Sequence, residues 1–309
     1  MGDRTSLSDR AVGCLLGLAC GDALGGPVEF IDRAKIAAIY PGGLREFVGG
    51  GWLHLAPGEI TDDTEMTLAL ARSLTANGLD PGRMVAEFLA WYRSNPKDIG
   101  NTTRAALALL ADGVSPEEAG ARVTTEMGDR GAGNGSVMRC APDAIRYVND
   151  PDGLVSASIA SAAITHADRR CTWGAVAINQ AIAHLLRGGG LVGVVDAAIG
   201  GVTDPDVRAA VLGAADRPHE HVKGGGFVLD TVGAALWCLL NQDGFEETVV
   251  AAVSLGDDTD TTAAVAGALA GAHYGIAAIP PRWRNFVQYR DEIRDLALRL
   301  MDYATGAPA

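Results

Sequence analysis

Asp257-Asp258-Thr259-Asp260-Thr261-Thr262, running on through Ala263 to Ile279, is the stretch on which the fold turns. Thr262 to Ile279 has about the length of a bilayer-spanning helix. Yet His273 and Tyr274 interrupt its apolar character, and it lies between an acidic cluster and Pro280-Pro281. Gly267, Gly271 and Gly275 recur every fourth residue, a spacing that lets a neighbouring backbone come close. The segment therefore reads as the central helix of a soluble bundle, opened by acids and hydroxyls.

Outward from there, nearly every segment has helical period. Asp9 to Leu24 places apolar residues at 11, 12, 15, 16, 18, 19 and 23, a broad buried face. Although Ala11 to Ala19 ends in Ala19-Cys20-Gly21 like a processing site, the lead-in is not basic, which predicts an ordinary buried helix. Pro27-Val28-Glu29-Phe30 then leaves Glu29 on a loop, Ile31 to Tyr40 is a short helix, and Leu44 to Ala56 is a long surface connection. Pro81 stands at the start of a helix over Gly82 to Arg93, and Ser115-Pro116-Glu117-Glu118 has capping-box spacing. Gly128 to Ser136 reads as a flexible loop leading into a helix over Val137 to Val148 that Pro142 kinks. No period-2 strand, linker or heptad interrupts the pattern. The expectation is an all-α fold: one compact domain over residues 1–304 with roughly a dozen or more helices, and a loose tail at 305–309.

A second stretch mirrors the first. Gly58-Glu59-Ile60-Thr61-Asp62-Asp63-Thr64-Glu65-Met66 again sets hydroxyls and carboxylates before an Ala/Leu-rich helix. A capped helix start explains one such side chain, not several. Adjacent Asp62 and Asp63 point about 100° apart on a helix, whereas Asp258 and Asp260 share a side in extended backbone. Brought together, the two clusters hold about four carboxylates, too much charge to bury without cations. Hard oxygen donors suit Mg²⁺, Mn²⁺ or Ca²⁺, and two divalent ions could activate water or grip paired substrate oxygens.

Composition agrees. The formal net charge is -13, with 38 acids against 25 Lys plus Arg, which argues against nucleic acid and anionic membrane as partners. Five scattered cysteines without a C-x-x-C pair suggest neither disulfides nor zinc, and favour the cytoplasm.

Three motifs carry a resemblance. Thr61 to Met66, Gly133-Asn134-Gly135-Ser136-Val137-Met138-Arg139 and Gly256 to Thr261, in that order, resemble the ADP-ribosylglycohydrolases. Gly49 to Trp52, Asp98-Ile99-Gly100-Asn101-Thr102-Thr103-Arg104 and Ile164-Thr165-His166 are similar to the dinitrogenase-reductase-activating branch, the ADP-ribosylarginine hydrolases. The resemblance implies a cleft with two Mg²⁺ or Mn²⁺ ions held by Thr61, Asp62, Asp63, Asp258, Asp260 and Thr261. It also implies that the loop from Gly133 through Asn134, Gly135, Ser136 and Met138 meets the substrate pyrophosphate. His166 would bond phosphate or ribose, and Phe227, where relatives often carry Tyr, would stack on the substrate. Asp98 is the leading acid/base residue, with Glu29 second. The implied activity removes ADP-ribose from arginine of a modified protein, releasing ADP-ribose. Alternatives are an O-linked serine or small-metabolite substrate, or a non-catalytic ADP-ribose binder.

Overall fold

The structure, a computed structural model, describes residues 5–75 and 78–306. Its helices are α1 (Leu7–Gly25), α2 (Arg33–Ile39), α3 (Asp62–Leu74), α4 (Pro81–Arg93), α5 (Asn101–Ala111), α6 (Pro116–Met127), α7 (Ala141–Arg146) and α8 (Pro151–Ala163). There follow α9 (Arg169–Leu186), α10 (Val194–Ala198), α11 (Pro205–Leu212), α12 (Val228–Asn241), α13 (Phe245–Val253), α14 (Thr259–Tyr274), α15 (Pro281–Arg284) and α16 (Arg290–Thr305). Among the described residues the only extended pairings are two isolated bridges, Gly50 with Leu55 and Gly133 with Phe227. The fold is all-α, as the periodicity predicts.

Two helices are apolar on every side, and such helices belong at the centre. In α14 every residue from Thr259 to Ala272 is buried, and in α1 every residue from Ala11 to Gly25. They lie against each other antiparallel, Gly13 meeting Gly271, Gly17 meeting Gly267, Gly21 meeting Ala263 and Gly25 meeting Asp260. A Cβ on Gly267 would sit 2.2 Å from the Gly17 carbonyl oxygen, and one on Gly25 would sit 2.5 Å from Asp260 Cα. No side chain fits between, so the backbones themselves are in contact. Around this pair pack α9, α12, α13 and α16, while α3 is held by α4, α7 and α16. Leu7–Val28 is long and apolar enough by composition to cross a membrane, and it is entirely buried. All five cysteines are buried and unpaired.

Several local expectations need correction. Pro142 kinks nothing: it stands in the first turn of α7, where its missing N–H is no loss, and the helix covers only Ala141–Arg146. Residues 128–136 are two tight 3₁₀ turns, with Asn134, Gly135 and Ser136 buried. Ser115 caps Glu118 N one-sidedly, while the full reciprocal box falls at Ser6 and Asp9. Of the tail expected at 305–309, Thr305 closes α16 and Gly306 caps it; residues 307–309 lie outside the described residues.

Candidate active site

The seam delivers the C-terminal end of α1 to the N-terminal end of α14, and α3 begins beside both. Thr61 occupies the N-cap position of α3, and Asp258 that of α14, yet neither side chain makes a capping bond. The cap of α3 comes from α1. Buried Asp22 accepts from Thr61 N at 3.0 Å, from Thr61 Oγ1 at 2.8 Å, from Thr64 N at 3.1 Å and from Thr64 Oγ1. With an outside residue satisfying those donors, Asp62 and Asp63 are free of that duty.

The freed acids line a cleft of about 260 Å³. Asp22, Asp63 and Asp260 each bring an oxygen within 4.8 Å of the others, as do Glu29, Asp98 and Asp260. Asp260 belongs to both groups. Burial pushes Asp22 up to about 6 and Glu29 up to about 8. It also lifts Asp62, Asp63 and Asp260 well above the carboxylate range, with neighbouring carboxylates adding to the rise. Half-buried Asp98 is raised too, first by burial. Among the described residues none of these acids joins a salt bridge, and Asp63 Oδ1 is buried with no hydrogen-bond partner. Packed oxygen donors, an orphaned carboxylate oxygen and no counter-cation fit hard divalent ions.

One wall of the cleft is the turn from Gly133 to Gly135. Asn134 ties it to the second acidic cluster, donating through Nδ2 to Asp258 Oδ2 and Thr231 Oγ1, both at 3.0 Å. Beneath it stands His166, whose Cε1 would lie 2.6 Å from a Cβ on Gly135. Arg139 Nη2 donates to Thr165 Oγ1 at 2.7 Å, and that hydroxyl lies 2.8 Å from His166 Nδ1. The Thr165 hydroxyl holds Nδ1 of the His166 ring in place, which leaves Nε2 facing the turn. Burial, and then the Arg139 charge, push His166 down to about 3, which keeps it neutral.

The residues expected from sequence fall as follows. Glu29, Asp62, Asp63, Asp98, Gly133, Asn134, Gly135, Met138, His166, Asp258, Asp260 and Thr261 all line the one cleft. Thr61 lies behind it, its hydroxyl on Asp22. Ser136 is turned into the core, donating to the Cys171 carbonyl. Phe227 is outside the lining, its ring 5.5 Å from the Arg170 guanidinium. Arg139 is fully buried and supports His166 from behind. Sequence reasoning missed Asp22, whose signal was an acid set in the apolar run from Ala11 to Gly25, and Arg130, which joins the lining.

Comparison with known proteins gives the family. Residues 3–308 match the sequence family described as ADP-ribosylglycohydrolase. The chain is 38% identical over 291 residues to the ADP-ribosyl-[dinitrogen reductase] glycohydrolase of Rhodospirillum rubrum, covering 93% of each. It is 35% identical to the ADP-ribosylarginine hydrolase Tri1 of Pseudomonas putida, over 96% of this chain and 79% of that one. A solved structure titled "ADP-ribosylglycohydrolase-related protein complex" superposes with a TM-score of 0.84 at 37% identity, over 97% of this chain and 99% of the other. With the sequence match running nearly end to end and the helices superposing, this chain belongs to the ADP-ribosylglycohydrolase family.

Proposed function

We propose that this protein is a hydrolase that removes ADP-ribose from arginine side chains of modified proteins, using two divalent cations, Mg²⁺ or Mn²⁺. The observation that carries the reading is the pair of carboxylate groups sharing Asp260 on the floor of the cleft. The names of the relatives from Rhodospirillum rubrum and Pseudomonas putida support the chemistry of the bond. Bound cations would offset the buried negative charge and supply Lewis acidity toward sugar oxygens.

The side chains do the rest. Asp62, Asp63, Asp258, Asp260 and Thr261 would hold the cations from the cleft lining, with Asp22 behind them keeping both its oxygens on the first turn of α3. The Gly133–Gly135 turn and His166 Nε2 would receive the diphosphate and ribose. Asp98, half-buried in the cleft lining, would deliver a proton to the departing guanidine nitrogen. Glu29, held by the Trp52 indole N–H at 2.6 Å, is second for that role.

The test is release of ADP-ribose from arginine-modified protein with Mg²⁺ or Mn²⁺, with and without a chelator, beside a serine-linked substrate. Asp62→Ala should abolish metal-dependent release while the helical circular dichroism persists, since Asp62 makes no capping bond and its removal leaves α3 capped by Asp22. Full activity in Asp62→Ala, or release insensitive to chelation, would sink the reading.

A further inference from the structure

Two large aromatic side chains stand in water beside Glu29. Phe30 is 68% exposed and lines the cleft; Trp52, on the glycine-rich connection, is 50% exposed. Their ring centroids are 5.7 Å apart with planes inclined at 38°, so they form a shallow corner open to solvent. Neither ring is there by looseness of the chain. The Trp52 indole N–H is fixed on Glu29 Oε2 at 2.6 Å. Phe30 has φ +60°, and its N–H donates to the Asp257 carbonyl at 2.6 Å. Asp257 has φ +61°, and its N–H donates in turn to the Ile31 carbonyl at 3.0 Å. Left-handed backbone suits glycine, and Asp tolerates it, but a bulky Phe there is strained. Strain held in place by reciprocal hydrogen bonds at the lip of a cleft points to use rather than accident.

The chemistry of the corner selects a planar cation. Aromatic faces attract a guanidinium through the ring quadrupole, and the guanidinium, weakly hydrated, stacks readily. Asp257 is exposed on the same backbone lock and adds negative charge. Glu29 joins the corner to the reacting end, since its carboxylate also groups with Asp98 and Asp260. The one arginine in the cleft lining, Arg130, comes instead from the turns that lead to Gly133. The cleft is thus acidic and aromatic at the Phe30 lip and takes its lining arginine from the 128–131 turn.

We propose that Phe30 and Trp52, with Asp257 beside them, form the seat of the leaving group and select an arginine guanidinium over an uncharged side chain. This inference rests on the reading of the site as an ADP-ribosyl-arginine hydrolase. A serine leaving group has neither charge nor plane to bring to the corner.

The experiment compares Phe30→Leu with Phe30→Tyr, and Trp52→Leu with Trp52→Phe, using ADP-ribosyl-agmatine as substrate. Both Trp52 variants lose the bond to Glu29, so their difference isolates the aromatic face. The expected result is a KM raised about three- to tenfold in the leucine variants over their aromatic counterparts, with the affinity for ADP-ribose itself, measured by calorimetry, unchanged. Leucine variants that match their aromatic counterparts would overturn the inference. So would a parallel loss of ADP-ribose affinity, which would assign the rings to the other half of the substrate. If the wild-type protein leaves ADP-ribosyl-agmatine intact, the proposed function fails. The compound then serves as a stable ligand, and its Kd in the same four variants tests the corner by the same comparison.

Discussion

Asp22 gives both carboxylate oxygens to the first turn of α3, and this one side chain explains why the adjacent acids are free. Four donors rely on it, two of them backbone N–H groups and two buried hydroxyls. Asp22→Ala should therefore cost about 2–4 kcal/mol, more than an ordinary cap, and urea denaturation would measure it; a loss under 1 kcal/mol would contradict the assignment. At Gly135 the constraint is space, because an added Cβ would meet His166 Cε1 at 2.6 Å and Thr103 Oγ1 at 3.2 Å. Gly135→Ala should displace the turn and lower kcat/KM by about ten- to a hundredfold with little change in urea midpoint, and an unaltered kcat/KM would remove the turn from the binding surface. Asp62, Asp63, Asp258 and Asp260 were legible in the sequence because each sits in a local excess of acids and hydroxyls. Asp22 was not, since its partners are on another helix and nothing within α1 hints at them. The inward turn of Ser136 was hidden for the same reason, as its acceptor is the Cys171 carbonyl.

Helices were legible where apolar period and an opening proline agreed, as at α4 with Pro81, and illegible where one proline had two readings. Pro142 could interrupt a long helix or open a short one; packing, not propensity, selects the second. The central pairing was half legible. The sequence shows the Gly267-Gly271 face of α14, but α1 reads as a run of large apolar residues in which Gly13, Gly17, Gly21 and Gly25 are easily passed over. Gly275, the third of the visible repeat, does something else: with φ +77° it ends α14. Because backbone faces backbone in the seam, Gly267→Ala has no side chain that can yield. It should lower stability by about 1–3 kcal/mol through overpacking, seen as a reduced melting temperature, whereas a neutral or stabilising effect would mean the helices part without cost.

The whole molecule holds an excess of buried negative charge, and its stability should report that. In the unfolded chain these carboxyls titrate near 4, while in the fold burial raises Asp22 to about 6 and Glu29 to about 8, and raises Asp62, Asp63, Asp98 and Asp260 as well. A carboxyl with a raised folded pKa binds its proton more tightly in the fold. Its stabilisation is complete below about pH 4 and is lost as pH rises through the folded pKa. Metal-free protein should therefore melt at lower temperature at pH 8 than at pH 5, and Mn²⁺ should raise the melting temperature more at pH 8, since protons and cations compete for the same oxygens. Asp168 and Glu247, lowered by bonds to Arg170 and Arg45, act in the opposite sense but mainly below that window; His166, pushed down to about 3, and His273, also lowered, oppose the trend between about pH 5 and 6.5, where the raised carboxyls outnumber them. A metal-free melting temperature flat from pH 5 to 8 would contradict the electrostatic account. The glycine seam also sets an order of events in the making of the protein. Asp22 and Asp260 meet across it although they lie far apart in sequence, and a nascent chain that stops short of α14 offers the first acids no second set. Closure of the long loop between α1 and α14, a slow and entropically costly step, is the same event that brings the two sets of acids together, so the cleft exists only once that pairing has formed.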